Sequence, residues 1–238
     1  MKKLFAIVLA ALCFAACKKD DTILYQYSAF GDVSLSGTYL VGDNGISFHI
    51  TKVSGTDSYM AQERVLFVCN VLKKVSDSEY NIELLDWNRV VRKDYVKSSE
   101  VTDDEALGNA PVYLTNAWVS GQYLNMAVAI TFVQNSEAKH IVNLVLDEAS
   151  SDDKTLCFVL RHNSNGESVG AGSSLTFDDV ALGRAYYSFP IQDLIPLGGS
   201  KEIKITWEWH LTDEKGMLLP ETETRTTSGT AASDYKLD

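Results

Sequence analysis

The segment from Glu202 to Leu211 leaves little choice of secondary structure. Ile203, Ile205, Trp207, Trp209 and Leu211 alternate with Glu202, Lys204, Thr206, Glu208 and His210, a period of two that puts apolar side chains on one face of a strand and polar ones on the other. The pattern returns where Leu124, Met126, Val128, Ile130 and Phe132 alternate with Asn125, Ala127, Ala129 and Thr131. Apolar spacing of three and four is sustained nowhere, so helices are expected to be few and short. A chain of this kind buries its apolar faces by packing sheets, and the expected class is all-β.

In the first half, strands are expected over Leu24–Leu35, Thr38–Leu40, Ile46–Val53, Arg64–Lys73 and Glu79–Val91, with Ser36-Gly37 and Asp43-Asn-Gly45 as turns. Five strands in residues 23–97 suit a small barrel. Arg64–Lys73 is almost continuously apolar and reads as a strand buried on both faces. Residues 98–111 turn polar and acidic before Pro111 and form the expected linker. They have room for one helical turn, since Thr102 and Glu105 stand at capping-box spacing. Residues 112–227 carry longer alternating segments, including His140–Asp147, Thr155–Arg161, Ser174–Phe177 and Ala185–Pro190, and are expected to form an antiparallel β-sandwich. Residues 228–238 are polar and read as a flexible tail.

The N-terminus carries an address. Lys2 and Lys3 precede an apolar run from Leu4 to Ala16, and Ala15-Ala16 stand immediately before Cys17. This is a lipoprotein signal peptide over residues 1–16, with lipid (palmitate) attached at Cys17 after cleavage. The apolar run is too short to span a bilayer. Residues 17–22 then form the anchor, and Lys19, Asp20 and Asp21 read as an export tag to the cell exterior. The expected location is the outer membrane, lipid-anchored and facing outward. The formal net charge is −11, and loss of Lys2 and Lys3 with the signal makes it about −13. Nucleic acid, which needs clustered Lys and Arg, is excluded as a partner.

Chemistry-bearing constellations are sparse. Gly166-Glu-Ser168-Val-Gly170 matches a nucleophile elbow, but a Gly/Ser-rich loop surrounds it where a helix is required. His49, His140, His162 and His210 show no ligand spacing, so neither a metal nor a cofactor is expected. His162 and His210 read as exposed side chains. Cys69 and Cys157 lie in apolar runs and read as small hydrophobes, with a bridge between them left open. Trp207 and Trp209 share the apolar face of their strand and read as core. Trp118 and Tyr123, flanking Val119-Ser-Gly-Gln122, stand near a turn and are the candidate ligand-binding aromatics.

The Cys17 signal with its acidic follow-on, Arg64-Val-Leu-Phe-Val68, Pro111-Val-Tyr-Leu114, Val119-Ser-Gly-Gln-Tyr-Leu-Asn-Met126, His140-Ile-Val-Asn-Leu-Val145 and Tyr187-Ser-Phe-Pro-Ile191 together resemble NigD-like lipoproteins. Phe14 in the signal and Pro190 depart from the family pattern. The resemblance spans nearly the whole mature chain and implies an N-terminal OB-like barrel followed by a C-terminal β-sandwich. It supplies no catalytic residues. The expected role is a non-enzymatic binding or accessory protein at the outer membrane, with a membrane protein or a glycan as partner. One alternative is a hydrolase using Ser168 or a carboxylate pair across a cleft. Another, from the family's operon association alone, is a bacteriocin-associated immunity protein.

Overall fold

The computed structural model describes residues 23–54, 63–167, 180–196, 198–212 and 218–232. The first five strands are β1 (Tyr25–Val33), β2 (Tyr39–Gly42), β3 (Ser47–Val53), β4 (Arg64–Lys74) and β5 (Glu79–Arg92). β1 pairs with β2 and β4, β2 with β3, and β4 with β5, all antiparallel, while β3 runs parallel to β5. The circular order 1-2-3-5-4 is that of an OB-like barrel. It is partly open, because β1 meets β2 only over Gly31–Val33. That junction demands glycine: a Cβ on Gly31 would lie 2.6 Å from the Val41 carbonyl oxygen.

Val33, Leu40, Phe48, Val65, Phe67, Cys69, Val71, Ile82 and Leu84 fill the barrel. In β4 the odd residues Val65 to Val71 are at most 1% exposed, whereas Leu66, Val68 and Asn70 are half-buried. The run expected to be buried on both faces is therefore buried fully on one. Its second face lies on the barrel exterior, which only part of the chain covers.

After β6 (Val96–Lys97) come a 3-10 turn at Ser98–Glu100 and the short helix α1 (Asp104–Leu107). Its cap is Asp103, whose carboxylate accepts from the Ala106 N–H, one residue after the expected Thr102. The remaining strands are β7 (Tyr113–Ser120), β8 (Tyr123–Val133), β9 (Ile141–Leu146), β10 (Thr155–Asn163), β11 (Val180–Pro190), β12 (Ser200–Thr212) and β13 (Leu218–Ala232). The expected strand at Ser174–Phe177 lies outside the described residues. β13 corrects the expected tail. Ser228–Ala232 pair with Lys204–Ser200, and Ala231 is 1% exposed.

Two sheets result, an eight-stranded one ordered β3-β2-β1-β4-β5-β11-β8-β7 and a five-stranded one ordered β13-β12-β10-β9-β6. β5 is long enough to serve two structures: Tyr80–Arg89 pair with β4 in the barrel, and Val90–Arg92 pair in parallel with Tyr186–Ser188 of β11. The barrel wall thus continues into one leaf of the sandwich. A second apolar core, built on Leu124, Met126, Val128, Leu144, Phe158, Phe189, Ile203, Ile205, Trp207 and Trp209, fills the space between leaves. Cys69 and Cys157 are both free. Burial pushes the Cys69 thiol up to about 12, so it packs as a small hydrophobe.

Candidate functional site

Three constellations among the described residues bear on function. The first lies in the seam between barrel and sandwich. Arg64 opens β4 with its side chain 1% exposed. Its guanidinium donates to both carboxylate oxygens of Asp43 at 2.8 and 2.7 Å, to Ser188 Oγ at 2.7 Å and to Asn125 Oδ1 at 3.1 Å. Ser120 Oγ donates to Asp43, and the Tyr123 ring lies 3.9 Å below the guanidinium. Asp43 comes from the turn after β2, whereas Ser120, Asn125 and Ser188 come from β7, β8 and β11. A desolvated charge pair survives burial only when its donors and acceptors are met, as they are here. The arrangement is closed and therefore structural.

The second is a hydrogen-bonded chain at one end of the sandwich. His162 Nδ1 lies 2.9 Å from the Pro111 carbonyl, His162 Nε2 lies 2.9 Å from His140 Nδ1, and His140 Nε2 lies 3.0 Å from Glu167 Oε2. The carbonyl can only accept, so His162 Nδ1 carries hydrogen and donates to it. Burial works against ionisation of Glu167, but hydrogen bonds from Ser136, the Val133 N–H and His140 outweigh it and hold its carboxyl below the usual range. His162 is 1% exposed, and burial lowers its pKa. His210 is also 1% exposed, with burial lowering its pKa and Nδ1 donating to the Leu219 carbonyl. Both histidines were expected at the surface. They are instead inside because the sandwich end and the β13 strand close over them. Among the described residues no three His, Cys, Asp or Glu side chains are grouped to hold a metal.

The third is a cleft of about 540 Å³ where the sandwich leaves gape. Its lips are β7, the last strand of one leaf, and β13, the last strand of the other. Leu114, Ala117, Val119 and Leu124 line it from one leaf, and Ile203, Ile205, Trp207 and the stretch Arg225–Ala231 line it from the other. Across the β12–β13 ladder, Trp207 stands beside Arg225, Ile205 beside Thr227, and Ile203 beside Gly229. The size matches small-ligand and side-chain pockets, commonly 300–1,000 Å³. Trp207 Nε1 is buried without a hydrogen-bond partner. A cleft with such lining can bind; its described lining includes no histidine, cysteine, aspartate or glutamate.

The two aromatics singled out from sequence fall differently. Trp118 does line the cleft, but its ring packs on Phe30 with centroids 4.9 Å apart and so belongs mainly to the seam. Tyr123 is only 5% exposed and lies beneath Arg64. It is corrected from a surface candidate to a buried support. Trp207 and Trp209 are core, as their shared face implied. Cys17, Lys19, Asp20, Asp21 and Ser168 lie outside the described residues. Arg64, Asp43 and the cleft escaped sequence reading, because their partners are separated by tens of residues and no spacing records them.

No helix among the described residues is long and apolar enough to cross a membrane. No curated protein matches the chain. Solved structures do. A protein of unknown function from Bacteroides vulgatus is 24% identical, with a TM-score of 0.60 over 86% of this chain and 91% of its own. A NigD-like immunity protein from Bacteroides caccae is 18% identical, with a TM-score of 0.56 over 82% and 90%. A candidate lipoprotein from Bacteroides fragilis is 14% identical, with a TM-score of 0.59 over 89% and 100%. These likenesses establish fold. The model of the NigD-like C-terminal β-sandwich domain matches residues 94–217, slightly more than half of the sequence, and the chain belongs to the NigD-like family.

Proposed function

We propose that this protein is a non-enzymatic binding or accessory lipoprotein of the outer membrane, anchored through lipid on Cys17, facing the exterior and engaging its partner in the cleft between β7 and β13. The observation that carries the reading is the cleft itself: an apolar floor between two strand edges, of ligand-binding size. The signal before Cys17 and the acidic residues after it support the location. A structural relative bearing the description of a lipoprotein agrees with that assignment.

The test is made in living cells. A photo-crosslinking residue at Thr227, inside the cleft, is expected to trap a cell-envelope component that the same residue at Asp77, on the exposed turn between β4 and β5 of the barrel, does not. Equal trapping at both positions overturns the cleft as the site. Cys17→Ala is expected to lose acyl labelling and to leave precursor; persistent labelling removes the anchor. Replacing Asp20 and Asp21 by Ala is expected to protect the protein from protease added to intact cells.

A further inference from the structure

The two leaves of the sandwich end out of step. β13 extends the five-stranded leaf past β12, while the opposite leaf stops at β7. At Arg225 the inward face of β13 meets β7, the guanidinium lying 5.8 Å from the centroid of the Tyr113 ring, whereas Thr227 and Gly229 front the cleft. β7 itself is unusual for an edge. Its eight residues, Tyr-Leu-Thr-Asn-Ala-Trp-Val-Ser, include no charge and no proline, and among the described residues it pairs only with β8. Exposed edges are ordinarily blocked by charge, proline or bulges because their free N–H and C=O groups recruit further strands. Here a single irregularity between Leu114 and Asn116 leaves Asn116–Ser120 in straight register.

The lining selects among ligands. Sugar recognition would use an aromatic face, yet the Trp118 ring lies against Phe30 and the Tyr113 ring against Trp209, with centroids 5.2 Å apart in the latter pair. Trp207 on the floor is only 7% exposed, and the cleft instead offers a largely aliphatic surface, a backbone edge and one charge. That charge is Arg225, whose partner Glu223 sits two residues away on the same strand at 2.9 Å. Such a solvent-facing pair exchanges partners at little cost. The buried, unpartnered Trp207 Nε1 adds a donor in want of an acceptor.

Taking the cleft as the binding site, we infer that its occupant is an extended segment of a partner polypeptide, added along the free edge of β7 as a further strand. Apolar side chains at alternate positions descend onto Ile203, Ile205 and Trp207, and a carboxylate of the segment takes Glu223's place on Arg225. Main-chain hydrogen bonds to β7 supply affinity, and the alternating pockets supply selectivity.

Gly229 provides the blocking variant. A Cβ there meets nothing within 4 Å, and its φ lies outside the left-handed region, so Gly229→Trp fills the cleft without straining the strand. The full chain in detergent is screened against displayed random peptides of eight residues, the length of β7, and against a glycan array, with thermal melting of the variant as the folding control. The expected result is enrichment of alternating apolar peptides bearing Asp or Glu, bound about tenfold more weakly by Gly229→Trp, with the acidic preference lost in Arg225→Glu. Amides of Asn116–Ser120 gain hydrogen-exchange protection on peptide binding. Peptides that bind Gly229→Trp equally well overturn the inference. Glycans that bind, are blocked by Gly229→Trp and find no peptide counterpart overturn the strand inference and leave the cleft as the binding site. Binding of neither class overturns both.

Discussion

At the scale of single residues, energetics concentrate in Arg64. Removing one partner of a buried pair strands the other charge, so Arg64→Ala is expected to cost about 3–5 kcal/mol, read as a lowered urea midpoint. Arg64→Met combined with Asp43→Asn is expected to recover much of the loss, because neither partner then carries an unmatched charge. His162 and His210 make a pH prediction. Their folded pKa values are depressed by burial, so below about pH 6.5 the unfolded chain takes up protons that the native state refuses. Stability from these groups is present above the unfolded pKa and is lost as pH falls. The urea midpoint is expected to decline from pH 7 toward 5, with a shallower slope in His162→Gln. At lower pH a second loss follows, since hydrogen bonds from Lys52, Ser54 and Asn70 hold Glu83 at about 2.

At the scale of elements, most strands were readable because alternation is a local property. Expected and observed limits of β3, β4 and β5 agree within a residue or so. β13 was missed for a physical reason: its inner face over Arg225, Thr227 and Gly229 lines the cleft and has no need of apolar residues. A strand buried on neither face carries no period of two. The helical turn was placed correctly and its cap was off by one, since Thr102 and Asp103 are both competent caps. Gly108, which ends α1, has φ of 68° and would place a Cβ 2.5 Å from Asn163 Cα and the His162 carbonyl. Gly108→Ala is therefore expected to lower stability by about 1–3 kcal/mol, measured by thermal melting, and to loosen the adjoining histidine chain.

At the scale of the whole molecule, barrel and sandwich behave as one body. The β5–β11 pairing and the Arg64 cluster cross the seam, together with the Phe30 packing on Trp118 and Tyr186. Protease cleavage within residues 98–111 is accordingly expected to give two fragments that still co-elute on gel filtration under native conditions. They are expected to separate more readily in Arg64→Ala. Separation of the wild-type fragments without denaturant argues against the shared sheet as the dominant contact.

Local chemistry alone specified the all-β class, the limits of most strands and the apolar face of β12, because each depends on neighbours a few residues away. The burial of His162, His210 and Tyr123, the meeting of Arg64 with Asp43 and Ser188, and the cleft between β7 and β13 were decided by the tertiary structure. They arise where strands distant in sequence become neighbours, and which edge lies beside which is set by the packing of two sheets rather than by any interval along the chain.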